Sequence, residues 1–247
     1  MTPFQVSPCK VKKMNQKAII FDIDGTLLGL HQPDDRAFTR AFDICFGLTG
    51  INDDWTSYPV HTDIALAKHI LNQRLDRPSK DLDYQQIMSC YYRNLKEETY
   101  KAGYIPVLIP GARPLLDYLQ ARNEIGLALA TGNSREIARL RMAQAGIGHY
   151  FQIGGFAEDG EIKTLILKKA IADCRTRWPE LRASDILYIG DSEGDIEAAE
   201  SNSVHFIQIS SERSPSQVHR FPVYSHFLEL DEFIAEVCRI LNFSQSL

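Results

Sequence analysis

At 247 residues the chain is longer than one small core needs, which suits either one domain with an insertion or two domains. Its 44% hydrophobic and 24% charged content is ordinary for a globular protein, and a net charge of −5 leaves no electrostatic footprint for nucleic acid. No apolar run reaches the length of a membrane span, so neither a polynucleotide nor a membrane partner is expected.

Residues 1–16, MTPFQVSPCKVKKMNQ, carry lysines with no apolar stretch behind them and read as a tail rather than a secretory signal. Ala18–Phe21 (AIIF) is the first predicted strand, and it runs straight into Asp22-Ile23-Asp24-Gly25-Thr26. From about Gly29 to Pro110 only helical patterns follow, over Pro33–Phe46, Thr62–Arg74 and Leu82–Lys101. Such a segment is too long for a simple crossover. It reads as a helical cap, residues 31–105, joined by connectors near Leu28–Gln32 and Ile105–Gly111. A cap that opens and closes would screen water from a site at the strand ends.

Beyond it, strand and helix alternate. A helix over Arg113–Arg122 precedes the strand Ile125–Ala130 (IGLALA), which ends in Thr131-Gly132-Asn133. Asn133–Ala145 reads as a helix capped by Asn133 with Glu136 three residues on and stopped at Gly146. Lys163 lies ahead of a helix over Thr164–Arg177, and the strand Ile186–Ile189 (ILYI) ends in Gly190-Asp191-Ser192-Glu193-Gly194-Asp195. A short helix over Asp195–Ser201, a strand over Val204–Ile209 and a helix over Asp231–Leu241 complete the series. Short apolar runs alternating with helices imply right-handed crossovers and a Rossmann-like, doubly wound parallel α/β sheet. The expected division is a tail (1–16), an α/β core (17–30 and 106–247) and the helical cap.

Ligands of open α/β sheets bind at the carboxyl ends of the strands. Three carboxylates, a hydroxyl and an ammonium group converge there from separate regions, and these parts fit phosphoryl transfer. A carboxylate can attack phosphorus to form an acyl-phosphate that water later hydrolyses. Mg²⁺ prefers oxygen ligands and keeps several waters, so two or three carboxylates or carbonyls suffice to hold it. Thr131 and the N–H of Gly132, at the mouth of a helix, would supply donors to phosphate oxygens. Asp24 is expected to be protonated when it helps a leaving alkoxide depart, and then to act as base toward water.

FDIDGTLL, ALATGN, a lysine ahead of a helix and YIGDSEGD, in that order, resemble the four motifs of the haloacid dehalogenase superfamily of phosphohydrolases. The likeness runs from Lys17 to about Ile209, and the helical insertion resembles the cap of its phosphoglycolate phosphatase and β-phosphoglucomutase branch. Within it HTDIALAKHIL resembles the branch's G-x-T-D segment without the glycine, and PGARPLLDYLQAR resembles the helix before the second strand.

The resemblance implies Asp22 as nucleophile, Asp24 as general acid/base, and Lys163 as the lysine that neutralises charge. Lys168 and Lys169 are nearby competitors for that last role. It implies phosphate binding by Thr131, Gly132 and Asn133. Asp22, the Asp24 carbonyl, Asp191 and Asp195 would hold Mg²⁺, with Asp195 either a direct ligand or its support. His61, Thr62 and Asp63 are the candidate cap contacts to substrate. The activity it implies is Mg²⁺-dependent hydrolysis of a small phosphate ester such as phosphoglycolate, in a cytoplasmic monomer or weak homodimer. The alternatives are a phosphomutase, a dehalogenase or a non-catalytic binding protein. The acids at positions 24, 191 and 195 speak against the last two.

The remaining candidates have plainer readings. Five scattered cysteines without C-x-x-C spacing argue against a disulfide framework or zinc site and for free thiols in a reducing cytosol, Cys9 being exposed. His31, His61 and His69 lack ligand spacing and read as packing or surface residues, His61 keeping a chance of touching the leaving group. Arg36 and Arg40 read as a solvated helix face, and Tyr91–Tyr92 as cap core plus surface.

Overall fold

The computed structural model describes residues 16–29, 32–103, 105–210 and 220–244, so the tail up to Asn15, with Cys9, and His31 lie outside the described residues. Six strands, β1 (Lys17–Phe21), β2 (Ile125–Ala130), β3 (Gly154–Gly155), β4 (Ile186–Gly190), β5 (His205–Ile209) and β6 (Val223–Tyr224), form one sheet. Its order is β3-β2-β1-β4-β5-β6 and every pairing is parallel. β1, β2 and β4 are buried at every position, as near-continuous apolar runs covered on both faces must be. The two-residue strands β3 and β6 leave no apolar run to read. Their pairing comes from the neighbouring strands β2 and β5.

Among the described residues eight α-helices accompany the sheet: α1 (Gln32–Phe46), α2 (Asp63–Arg74), α3 (Asp81–Ala102), α4 (Ala112–Gln120), α5 (Arg135–Gln144), α6 (Lys163–Arg177), α7 (Glu193–Ser201) and α8 (Leu230–Leu241). The period of two along the strands separates two apolar clusters. Ile19, Phe21, Leu127 and Leu187 meet Leu115 and Leu119 of α4 and Phe233 and Val237 of α8. Ile20, Ala128 and Tyr188 face the other way, toward Ile166 and Ile171 of α6 and Ala198 of α7.

α1, α2 and α3 build a third apolar cluster of their own, from Phe38, Phe42, Leu66, Ile70, Ile87 and Leu95, joined by Ile137 of α5. The chain leaves the sheet for these helices and returns beside itself: Gly29 N–H donates to the Val107 carbonyl at 2.9 Å, and Ile109 N–H to that of Leu27 at 2.9 Å. Tyr91 is buried and Tyr92 partly so, Arg36 and Arg40 are exposed, and Cys90, Cys174 and Cys238 are buried free thiols. No helix among the described residues is long and apolar enough to cross a membrane.

Candidate active site

β1 lies between β2 and β4, with Phe21 opposite Leu129 on one side and Ile189 on the other. Asp22, Thr131 and Asp191 therefore emerge together where the strands stop, at the carboxyl ends of β1, β2 and β4. Asp22 is only 2% exposed. Its Oδ2 accepts from Lys163 Nζ at 2.6 Å, and the same ammonium reaches Asp195 Oδ1 at 2.7 Å. Lys163 is the first residue of α6, from which its side chain points back at the strand ends. Lys169 is instead spent on Asp173, one helical turn along.

Asp195 is fully buried, and its surroundings account for the spacing of GDSEGD. It is the third residue of α7 and closes a capping box with Ser192 at the helix start. Oδ2 accepts from Ser192 Oγ at 2.6 Å, Ser192 N at 3.0 Å and Asp191 N at 3.2 Å. Oδ1 takes the Lys163 ammonium and the Tyr188 hydroxyl, the latter at 2.5 Å. Burial, the largest influence, pushes the Asp195 carboxyl up. Lys163, with help from Ser192 and Tyr188, outweighs it and holds the group below the ordinary range. Both oxygens of Asp195 are thus already engaged by donors of the protein itself.

Asp191 sits over Gly25. Thr26 Oγ1 donates to Asp191 Oδ1 at 3.5 Å, and a Cβ on Gly25 would lie 2.2 Å from Asp191 Oδ2. Gly25 also has φ of +72°, so both the backbone and the neighbouring carboxylate demand glycine. Gly25→Ala is expected to destabilise the fold by about 1–3 kcal/mol, measured by urea unfolding. A loss within error of zero would show that Asp191 can move aside at no cost.

The donor set fits a hard divalent cation. Asp22, Asp191 and Asp195 each offer an oxygen within 4.8 Å of the others. Asp22 Oδ1 is buried without a hydrogen-bond partner. Burial and the neighbouring acids push Asp22 well above the usual carboxylate range, and burial and Asp195 push Asp191 up to about 7. Uncompensated negative charge of this kind is what an oxygen-seeking cation relieves. Asp22 and Asp191 have side-chain oxygens to offer it, whereas the side chain of Asp24 is engaged elsewhere, leaving its backbone carbonyl.

That engagement corrects one expectation. Asp24 Oδ1 pairs with Arg141 NH2 at 2.6 Å, and Asp24 Oδ2 accepts from Asn133 Nδ2 at 2.7 Å. Burial again acts upward most strongly, yet the Arg141 guanidinium and the Asn133 amide together hold Asp24 below the ordinary range. Asp24 therefore rests as a carboxylate, where a protonated acid was expected. Asn133 was read both as a helix cap and as a phosphate ligand. Ser134 is the cap position instead, and the Asn133 side chain is occupied by Asp24 and, through Oδ1, by Arg141 NH1 at 2.8 Å.

Arg141 is a further residue of the site, one that no sequence motif marks. It is 3% exposed, and its NH2 also reaches Asp34 Oδ2 of α1 at 2.9 Å. The available signal was its position: Arg141 is four residues beyond Ile137, on the face that α5 buries. Asp34 lies in the first turn of α1. Burial, the dominant influence, pushes it up to about 6.

The phosphate-binding candidates and the helical segment meet directly. Thr131 is fully buried and its Oγ1 accepts from Asn133 N at 3.2 Å. The N–H of Gly132 makes no hydrogen bond among the described residues, while its carbonyl accepts from Asp63 N at 2.9 Å. A Cβ on Gly132 would lie 2.9 Å from the His61 carbonyl, so only glycine lets the His61–Thr62 turn come this close. Thr62 is buried at the start of α2, and Asp63 Oδ2 accepts from Ser134 N at 2.7 Å. Glu158 accepts from Arg135 N at 3.0 Å. The N–H groups of Ser134 and Arg135, which open α5, are thus taken by Asp63 and Glu158. His61 is exposed, and His69 packs edge-on against Tyr58.

The same fold is found in known structures of low sequence identity. CbbY from Rhodobacter sphaeroides, in complex with phosphate, is 21% identical with a TM-score of 0.63, over 87% of this chain and 96% of that one. A predicted phosphoglycolate phosphatase from Haemophilus somnus is 16% identical with a TM-score of 0.62, over 90% and 99%. A candidate β-phosphoglucomutase from Bacteroides vulgatus is 13% identical with a TM-score of 0.63, over 93% and 92%. No curated protein sequence matches the chain. Residues 16–202, spanning β1 to α7 and with them Asp22, Lys163 and Asp195, match the model of the haloacid dehalogenase-like hydrolases, and the chain belongs to that family.

Proposed function

We propose that this chain is a Mg²⁺-dependent phosphatase that hydrolyses a small phosphorylated metabolite through a phosphorylated Asp22. The observation that carries the reading is the state of Asp22: buried, fixed at one oxygen by Lys163, and left without a partner at the other. An Asp22 oxygen attacks phosphorus while the bond from phosphorus to the ester oxygen breaks; Asp24, a carboxylate in the free site, takes up a proton from solvent as the ester binds and passes it to the departing alkoxide. Asp24, now a carboxylate, takes a proton from water as that water attacks phosphorus. The bond to Asp22 breaks and phosphate leaves. Lys163 offsets the charge of Asp22 beside the incoming phosphoryl group, and the free N–H of Gly132 offers a donor to its oxygens. Asp22, the Asp24 carbonyl and Asp191 would hold Mg²⁺, which supplies electrostatic stabilisation of the transferring group.

α1 to α3 serve in this reading as the cap, its His61–Thr62 turn seated on Gly132. Phosphoglycolate is one candidate ester, and the buried free thiols suit a reducing cytoplasm. The test is phosphate release from p-nitrophenyl phosphate and a panel of phosphorylated metabolites, with and without EDTA. Product analysis on β-glucose 1-phosphate separates hydrolysis from mutase transfer. No release from any ester would overturn the reading. The cation has a readout that needs no turnover. At Mg²⁺ near a hundred times its Kd, the chelator-stripped protein should gain about 2.7 kcal/mol of stability, most of it lost in Asp191→Asn. An equal gain in that variant would move the site elsewhere.

A further inference from the structure

We propose that Arg141 is a positioning residue for Asp24, seated in turn by Asp34 of α1, so that the first helix of the cap helps to set the acid/base in place. The inference rests on the reading of Asp24 as acid/base. Arg141, Asn133 and Asp24 close a ring: Arg141 NH2 to Asp24 Oδ1 at 2.6 Å, Arg141 NH1 to Asn133 Oδ1 at 2.8 Å, and Asn133 Nδ2 to Asp24 Oδ2 at 2.7 Å. Both carboxylate oxygens are thereby tied, which fixes the plane of the group as well as its place. A guanidinium is suited to this because its donors leave a rigid fork in fixed directions, where an ammonium acts as a point charge.

The fork is anchored on its other side by Asp34 Oδ2 at 2.9 Å. Asp24 follows β1 and Asp34 lies in the first turn of α1, so the chain passes from acid to anchor across the connector that leads to α1, α2 and α3. Arg141 bridges the two ends of that connector from α5. It is buried and cannot swing to another partner without breaking both pairs. A displacement of α1 must therefore reach Asp24 through two hydrogen-bonded pairs in a buried setting, where such coupling is strong.

The experiment is a double-mutant cycle read as kcat on p-nitrophenyl phosphate, because attack of water on the phosphorylated enzyme is common to every ester. Arg141→Met is expected to lower kcat by about 10- to 100-fold with KM little changed, the scale on which small misplacements act. Arg141→Lys should recover part of the loss. In an Asp24→Asn background, Arg141→Met should cost no further activity, because its effect passes through Asp24. Asp34→Asn, which keeps the shape, should cost about three- to tenfold in the wild-type background and nothing in Asp24→Asn. If Arg141→Met leaves too little folded protein, Arg141→Lys and Asp34→Asn carry the cycle.

Equal fold losses with and without the Asp24 carboxylate would overturn the proposal and reduce Arg141 to a structural ion. Wild-type kcat in both Arg141 variants would overturn it too. Wild-type kcat in Asp24→Asn alone would sink the acid/base reading itself, and the proposal with it.

Discussion

Asp22→Asn should lower phosphate release by roughly 10⁴-fold or more, the scale seen when a covalent nucleophile is removed. The substitution keeps the size of the side chain and takes away the negative oxygen that would attack phosphorus. It also breaks the 2.6 Å pair with Lys163, which keeps its partner Asp195 and so stays compensated. The fold is therefore expected to survive. Asp22 itself is held against its preference, since burial, and after it the neighbouring acids, push its carboxyl well above the usual range despite Lys163. The neutral amide removes that cost, so the metal-free variant should melt at or above the wild-type temperature at pH 7.5. Stability kept and turnover lost is the signature of a nucleophile. Retained turnover would remove Asp22 from that role.

Lys163→Met should damage both properties. Its ammonium is the cation at hydrogen-bonding distance from Asp22 and from the fully buried Asp195. Removing one partner of a buried ion pair costs about 3–5 kcal/mol, because the other charge stays behind uncompensated. Turnover should fall by about 10²–10³-fold, as when a group stabilising transition-state charge is deleted. The stability loss carries its own pH signature. Asp195 lies below its ordinary range in the fold. Its contribution to stability is thus present above the unfolded-state value of about 4 and is lost as pH falls through the lower folded value. The gap between wild type and Lys163→Met, followed by urea unfolding, should be widest near neutrality and narrow in acid. A gap independent of pH would assign the damage to packing in place of charge.

The two assignments differ in how they were reached. Asp22 follows β1 immediately, and an acid after a buried apolar strand is visible in one dimension. Lys163 had rivals at 168 and 169, and the choice among them depends on which side chain of α6 faces the strand ends. In the fold Lys163 reaches Asp22 and Asp195, while Lys169 pairs with Asp173. The capping of α5 shows the converse. Asn133 and Glu136 have the spacing of a local cap, but Asp24 and Arg141 compete for the Asn133 side chain and win it. A charged partner in a buried setting outweighs a local hydrogen bond, and Asp63 and Glu158 fill the N–H groups that open α5 instead.

By itself, the sequence determined the parallel sheet, its long strands, the helical insertion and the acids at the strand ends. Those are carried by periodicity and by residues adjacent along the chain, which local physics makes visible. The tertiary structure alone decided that Arg141 grips Asp24, that Asp34 and Asp63 reach into the site from helices of the insertion, and that Asp195 is held by Lys163, Tyr188 and Ser192. It decided the strands β3 and β6 as well. Each of these depends on which distant group fills a buried acceptor or extends an existing strand. Such a partner is chosen by the folded surroundings, so no local pattern announces it.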